Sequence, residues 1–133
     1  MIMERFIIEQ TSRFDMDNTV KAILKAADQK GWSNPATHDL QQSLAKSGKH
    51  VKPVKVIEIC KPEYSGKMLE LNDERIISVM MPCRISVYEK NDGKTYVSIL
   101  NSGLMAHGVT DSVATAIQGA FNESMEIIKS VLN

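Results

Sequence analysis

The sequence predicts an α+β fold in which two main helices pack on one face of a mostly antiparallel sheet. Apolar residues recur at helical spacing near residues 20–27 and 113–131, and they alternate with period two over residues 76–90. An Asn91-Asp92-Gly93 turn can then fold the following strand back antiparallel. The predicted element order is β-α-β(4)-α, with short extra helices in the connections.

The first strand and the first helix follow from residue type and spacing. Residues 3–9 form a strand candidate because β-branched and aromatic side chains are concentrated there. The apolar face of the next helix is formed by Val20, Ile23, Leu24 and Ala27. Asp15 or Asp17 can cap the start of this helix, and Gly31 can end it in a left-handed conformation.

The next two segments predict shorter elements. Residues 32–38 can form only a short strand or an edge strand, because Pro35 has no N–H to donate to a ladder. Residues 39–47 place Leu40 and Leu44 four positions apart and precede a glycine, which indicates one or two turns of helix.

The middle of the chain predicts two strands joined by a small helix. Residues 52–60 form a strand by composition, and residues 64–71, in which Met68, Leu69 and Leu71 are apolar, can form the helix. The alternation over residues 76–90 predicts a long strand with one buried face. Pro82 inside that pattern indicates a bulge or an edge position.

The last part of the chain predicts a strand followed by the second main helix. Residues 94–100 pair back on the preceding strand across the tight turn. Thr110 or Asp111 caps the helix. Its apolar stripe consists of Val113, Ile117, Ala120, Phe121, Ile128 and Val131, and outside the stripe lie Glu123, Glu126 and Lys129.

Composition indicates one ordinary globular domain over residues 1–133. Apolar residues make up 43% of the chain, and 16 basic residues balance 16 acidic ones, so no global charge favours nucleic acid or an anionic membrane. No apolar run is long enough for a membrane span, and residues 1–10 lack the pattern of an export leader. We expect a cytoplasmic protein.

Motifs that identify the large enzyme classes are absent from the sequence. The seven glycines are scattered, so no phosphate-cradling loop is present, and neither is a Gly-x-Ser-x-Gly elbow nor a His-Glu-x-x-His helix. No catalytic residue or cofactor can be assigned on this basis. We expect a non-enzymatic domain, and an enzyme without a readable motif stays an alternative.

The two cysteines are the best candidates for a chemical site. If the strands that carry Cys60 and Cys83 are antiparallel neighbours, the end of the first lies near the start of the second, and the sulfurs approach each other. Thiol exchange or soft-metal binding requires such proximity. His38 can add an imidazole as a third metal ligand. Free cysteines are also common core residues, which leaves an inert packed pair as the other interpretation.

Three segments carry a resemblance to a known family: Thr37-His38-Asp39-Leu40-Gln41, Glu58-Ile59-Cys60-Lys61-Pro62 and Met81-Pro82-Cys83-Arg84-Ile85-Ser86-Val87-Tyr88. With these segments the chain resembles the domain of unknown function 302 family, from about Phe6 to the last helix. The resemblance implies a bacterial-type β-α-β(4)-α domain of TATA-binding-protein-like architecture that forms homodimers. It also makes His38, Cys60 and Cys83 the candidates for a shared site, since they match positions that recur in the family pattern.

Two functional hypotheses follow from these observations. The first is a non-enzymatic domain that binds a small molecule in an apolar pocket or presents an interaction face. The alternative is a thiol-dependent redox protein or a soft-metal-binding protein that uses Cys60 and Cys83 with His38. Neither hypothesis identifies the ligand.

Overall fold

Five antiparallel strands form one sheet in the order β1-β5-β4-β3-β2. A computed structural model of the chain describes residues 5–70 and 72–133, with the backbone only at residues 72–74. The strands are β1 (Ile7–Thr11), β2 (Thr37–Asp39), β3 (Val54–Ile59), β4 (Cys83–Glu89) and β5 (Thr95–Leu100). The central strand is therefore β4, and β2 is a three-residue edge strand, as Pro35 led us to expect.

Besides the strands, the element order of the described residues contains four α-helices and two 3₁₀ helices. They are α1 (Met16–Gln29), α2 (Leu40–Ala45), α3 (Pro62–Glu70), a first 3₁₀ helix (Asn72–Met80), a second 3₁₀ helix (Ser102–Ala106) and α4 (Asp111–Lys129). The predicted α+β class and the β-α-β(4)-α order, with short helices in the connections, are confirmed. None of the helices in the described part of the chain has an apolar stretch long enough to cross a bilayer.

The ends of α1 follow the sequence signals. The Asp15 carboxylate accepts the Asn18 backbone N–H at 2.9 Å, which satisfies one of the free amides of the first turn. Gly31 ends the helix at a φ of 81°, and the Trp32 N–H then donates to the Ala27 carbonyl at 2.9 Å. This C-terminal motif turns the chain so that the Trp32 side chain enters the core, where it is buried.

The core lies between one face of the sheet and the two long helices. Alternate side chains of the three central strands are buried on this face: Ile57, Ile59, Ile85, Val87, Val97 and Ile99. Ile23 of α1 and Ile117 of α4 belong to the same buried cluster. Both long helices therefore cover the same face. The other face of the sheet, named the open face below, carries residues such as Val56, Arg84, Ser86 and Ser98.

The predicted strand over residues 76–90 is wrong in its first half. The alternating segment before Pro82 forms the first 3₁₀ helix, and β4 begins only at Cys83. Proline has no N–H to donate and restricts its own φ, so the ladder starts after it and not around it. Pro82 therefore lies before the strand, not at a bulge within it. The 3₁₀ helix buries Ile77 but leaves Val79 80% exposed, so the apolar alternation is not matched by burial on one strand face.

Smaller boundary differences occur at β1 and α3. The strand predicted over residues 3–9 is β1, which extends to Thr11, while residues 1–4 lie outside the described residues. Leu71, at the end of the predicted small helix, also lies outside them. The helix itself is present as α3, and it begins at Pro62, where the fixed φ of proline suits the first turn.

Candidate functional site

A cavity of about 400 Å³ lies at the end of the sheet where β3 ends and β4 begins. Ile59 and Cys83 are register partners, so the connection between these strands must leave and re-enter the sheet at this end. That connection, residues 60–82, contains α3 and the first 3₁₀ helix and supplies one side of the cavity. Trp32, α4 and residues of β3, β4 and β5 supply most of the rest of the wall.

The wall of the cavity is mostly apolar. Trp32, Met68, Ile77 and Ile117 are buried side chains that line it. Its few polar groups include Arg84 and the hydroxyls of several serines on β4, β5 and α4. An apolar concavity with a small number of polar groups is the usual composition of a small-molecule site.

Both cysteines line this cavity as free thiols. Cys83 is the first residue of β4, and Cys60 directly follows its register partner Ile59. Burial raises the pKa of the Cys83 thiol, and the neighbouring Cys60 thiolate raises it further, against the opposing charge of Arg84. Both cysteines therefore border the same cavity. The raised pKa of Cys83 disfavours the thiolate that exchange or metal binding needs.

His38 does not join the cysteines. It lies on the edge strand β2 opposite Val56, and Cys60 is four positions further along the chain, at a distance of about 13 Å. Its Nε2 is 3.0 Å from the Glu58 carboxylate, and its side chain is not part of the cavity wall. The three-ligand site suggested by sequence is therefore not formed, since no three potential metal ligands cluster among the described residues.

A hydrogen-bonded group that the sequence did not reveal stands at one side of the cavity. The Glu123 carboxylate of α4 accepts hydrogen bonds from the Trp32 indole N–H at 3.0 Å, the Lys61 ammonium at 3.0 Å and the Tyr64 hydroxyl. Three of these residues, Trp32, Lys61 and Tyr64, line the cavity themselves. We name the four residues the Glu123 cluster.

Charge and hydrogen bonding fix the protonation of the Glu123 cluster. Burial opposes ionisation of Glu123, but the hydrogen bonds from Tyr64, Trp32 and Lys61 together outweigh it and lower the pKa of the carboxyl group. The same carboxylate raises the pKa of Tyr64 to about 12 and raises the pKa of Lys61. Glu123 is therefore ionised and Tyr64 protonated near neutral pH.

The apolar stripe of α4 gives a wrong expectation for the burial of Glu123. By helical spacing this residue lies outside the stripe, which predicts a solvated side chain. Its side chain is only 23% exposed, because α3 covers that side of α4. The one sequence signal for the contact is the presence of Trp32 and Tyr64, since both carry a polar group that needs a partner when the ring is buried.

Comparison with known proteins identifies a family and a structural relative. The family model described as "Domain of unknown function DUF302" matches residues 8–132. The crystal structure of an uncharacterized conserved DUF302 protein from Bacillus stearothermophilus superposes with a TM-score of 0.84 at 16% sequence identity. The match covers 95% of this chain and 98% of that one, and it shows a shared fold. No curated protein matches the chain.

Glu123→Gln should destabilise the fold at neutral pH. The amide cannot accept from three donors as a carboxylate does, so we expect a loss of about 1–2 kcal/mol after allowance for partial exposure. The pKa of Glu123 is lower in the folded chain than in the unfolded one. Ionised Glu123 therefore contributes fully to the free energy of unfolding above about pH 4.3, the ordinary pKa of glutamate. This stabilisation is lost as the pH falls through the folded-state pKa.

Urea unfolding of Glu123→Gln at pH 7 and at about pH 3 tests this expectation. The matched control is Glu63→Gln, which removes an exposed carboxylate 3.6 Å from Lys61 and should change the free energy of unfolding by less than about 0.5 kcal/mol. A Glu123→Gln loss that is equal at both pH values would show that the ionised carboxylate is not what stabilises the contact.

Cys83 should alkylate more slowly in the folded protein than in the unfolded one. In the variant Cys60→Ser, where Cys83 is the remaining thiol, burial still raises the pKa and shields the sulfur. We expect iodoacetamide labelling, followed by mass spectrometry, to be about tenfold or more slower in buffer than in urea. Equal rates in the two conditions would show an accessible, reactive thiol and would revive the redox hypothesis.

Proposed function

The chain belongs to the DUF302 family, and we propose that it is a non-enzymatic binding domain whose cavity takes a small, largely apolar molecule. The observation that supports this function best is the cavity itself. Its volume of about 400 Å³ lies within the range of about 300–1,000 Å³ typical of small-molecule sites.

The composition of the wall favours binding of an apolar body. Met68, Met80 and Met81 contribute unbranched, polarizable side chains that adapt to different ligand shapes. Trp32 and Phe121 add rigid aromatic surface. The transfer of an apolar chain from water to this wall stabilises the complex by about 0.8 kcal/mol for each buried methylene.

The titratable groups at the cavity favour binding over catalysis. Cys83 has a raised pKa, which is the wrong direction for an activated nucleophile. The Glu123 carboxylate already accepts from three donors, and Tyr64 with a pKa of about 12 holds its proton. A general acid or base near neutral pH needs a pKa close to the operating pH, and neither residue has one.

We also propose a cytoplasmic location and a homodimer. The two free cysteines on one wall suit a reducing compartment. Exposed apolar side chains at the cavity, namely Ile7, Val79 and Leu100, form what we call the apolar rim, and they are 36%, 80% and 47% exposed. Contiguous exposed apolar surface typically marks an interaction site, and a second copy of the chain would shield it from water.

Binding to the cavity should be visible through Trp32. This residue is the only tryptophan of the chain and lines the cavity, so 1-octanol should change its fluorescence in a saturable manner. From 1-hexanol to 1-octanol the affinity should rise about fourfold for each added methylene. A linear response without saturation up to the solubility limit would contradict the proposed function.

A substitution that fills the cavity gives the matched test. Ala120→Leu adds three carbon atoms to a buried wall position and should weaken 1-octanol binding about tenfold or more. Ala114→Leu, on the same helix but outside the cavity wall, should leave the affinity unchanged. Urea unfolding of both variants verifies that each one is folded during the titration.

The homodimer is tested by sedimentation velocity. The protein should sediment with about twice the chain mass of 14.8 kDa, and Val79→Lys should sediment as the monomer because it places a charge in the apolar rim. Leu44→Lys, at an exposed position of α2, should stay dimeric. A monomer at all concentrations of the unmodified chain would refute the dimer and leave the cavity proposal intact.

A further inference from the structure

The cavity has two ends of different chemistry. Toward α3 and α4 its wall is apolar, with Met68, Ile77 and Phe121. Toward the open face of the sheet the wall contains Arg84 and Ser86 of β4 and Ser98 of β5. The same continuous space therefore touches the apolar core at one end and a cationic, hydroxyl-bearing surface at the other.

The strand register brings the polar residues of the second end together. Arg84 and Ser86 are two positions apart on β4, so their side chains point to the same face. Ser98 is the register partner of Ser86 on β5 and shares that face. The Arg84 guanidinium group and the Ser86 hydroxyl thus line the part of the cavity that opens on the sheet, next to Ser98, whose hydroxyl is hydrogen-bonded to Tyr88.

The charge of Arg84 is only loosely balanced within the protein. Its Nε lies 3.9 Å from the Glu58 carboxylate, beyond hydrogen-bond distance, and Glu58 is already 3.0 Å from the Nε2 of His38. No hydrogen bond within residues 5–70 and 72–133 uses the terminal amino groups of Arg84, and its side chain is half exposed. An anion can therefore approach the guanidinium group from solvent, while the Glu58 carboxylate stays near its Nε.

Lys61, the other cation of the wall, is not available in the same way. Its ammonium group is 3.0 Å from Glu123 and 3.6 Å from Glu63, so two carboxylates surround it. An anion bound there would meet net negative charge. The electrostatics of the cavity therefore favour an anionic group at the Arg84 end.

From this arrangement we propose that the ligand is an anionic amphiphile, with an oxyanion headgroup at Arg84, Ser86 and Ser98 and an apolar chain that reaches toward Phe121. This inference rests on the proposed binding function and adds the ligand class. The planar guanidinium group pairs with a carboxylate or a phosphate through two parallel N–H donors, and the Ser86 hydroxyl can donate to a remaining oxygen. Both kinds of oxyanion fit this chemistry.

A comparison of ligands with one chain length and different headgroups tests the proposal. Trp32 fluorescence is measured with 1-octanol, octanoate, octyl phosphate and octyltrimethylammonium. We expect at least one of the two anions to bind about tenfold to a hundredfold more tightly than 1-octanol, and the cation to bind more weakly than 1-octanol. The tighter of octanoate and octyl phosphate identifies the kind of oxyanion.

Substitutions at the polar end assign the effect to Arg84. Arg84→Gln should lower the affinity for the anion about tenfold more than it lowers the affinity for 1-octanol, which removes the advantage of the anion. Arg75→Gln, at an exposed arginine of the first 3₁₀ helix outside the cavity wall, is the matched control and should change neither affinity. Glu58→Gln removes the competing carboxylate and should strengthen anion binding twofold or more, without an effect on 1-octanol.

The possible results separate this inference from the function on which it rests. Equal affinities for 1-octanol and both anions would overturn the anionic headgroup and leave the binding function standing. An Arg84→Gln variant that loses 1-octanol and anion binding equally would also overturn it, because Arg84 would then shape the cavity without contacting the headgroup. No saturable binding of any of the four compounds would overturn both proposals.

Discussion

The Glu123 carboxylate is the interaction on which the cavity depends. Glu123 lies on α4 and accepts hydrogen bonds from Trp32, which follows α1, and from Lys61 and Tyr64 at the start of α3. Hydrogen bonds to an ionised acceptor contribute more than neutral ones, so this one side chain holds three segments at a fixed separation. Without these hydrogen bonds α3 would lose its polar attachment to α4, and the cavity wall that residues 60–82 form would be held less firmly.

The course of the chain explains why the cavity forms at this end of the sheet. β3 and β4 are antiparallel neighbours, so their connection must pass the sheet end where Ile59 faces Cys83. Pro82 delays the start of β4, since it cannot donate to the ladder. The connection is therefore long enough to hold α3 and a 3₁₀ helix, and it wraps from the helix-covered side of the sheet toward the open face.

Local sequence patterns predicted most of the fold and part of the site. Capping by Asp15, the left-handed Gly31 and the alternation within β4 depend on neighbours in the chain, and each is present as expected. The antiparallel pairing of Ile59 with Cys83 also places Cys60 and Cys83 at the same end of the sheet. These interactions join residues that are close in the chain, so sequence patterns can predict them.

The remaining features depend on contacts between distant residues. The partners of Glu123 lie 59, 62 and 91 residues away, and no periodicity encodes such pairs. The position of His38 on the open face, away from the cysteines, is set by the β2–β3 register and not by any spacing along the chain. The period-two pattern before Pro82 gave a wrong strand prediction for a related reason, because an alternating segment forms a strand only where a neighbouring strand can pair with it.

These contacts give a consistent picture of the site. The thiols of Cys60 and Cys83 lie in the mostly apolar wall of the cavity, where burial raises the pKa of Cys83. The ionised groups nearby are occupied in holding the wall, with Lys61 and Tyr64 both bound to Glu123. The cavity has an apolar end and an end that carries Arg84. This composition suits the binding of a small molecule better than catalysis.

Xenon binding in a crystal of the protein tests most directly whether this space is open. Xenon enters dry apolar cavities and needs no specific partner, so its density reports the cavity alone. Ordered xenon between Met68, Ile77 and Phe121, with no shift of α3, is the expected result. A crystal in which Met68, Ile77 and Phe121 fill the space between them and no xenon appears at this position would contradict the existence of the binding site.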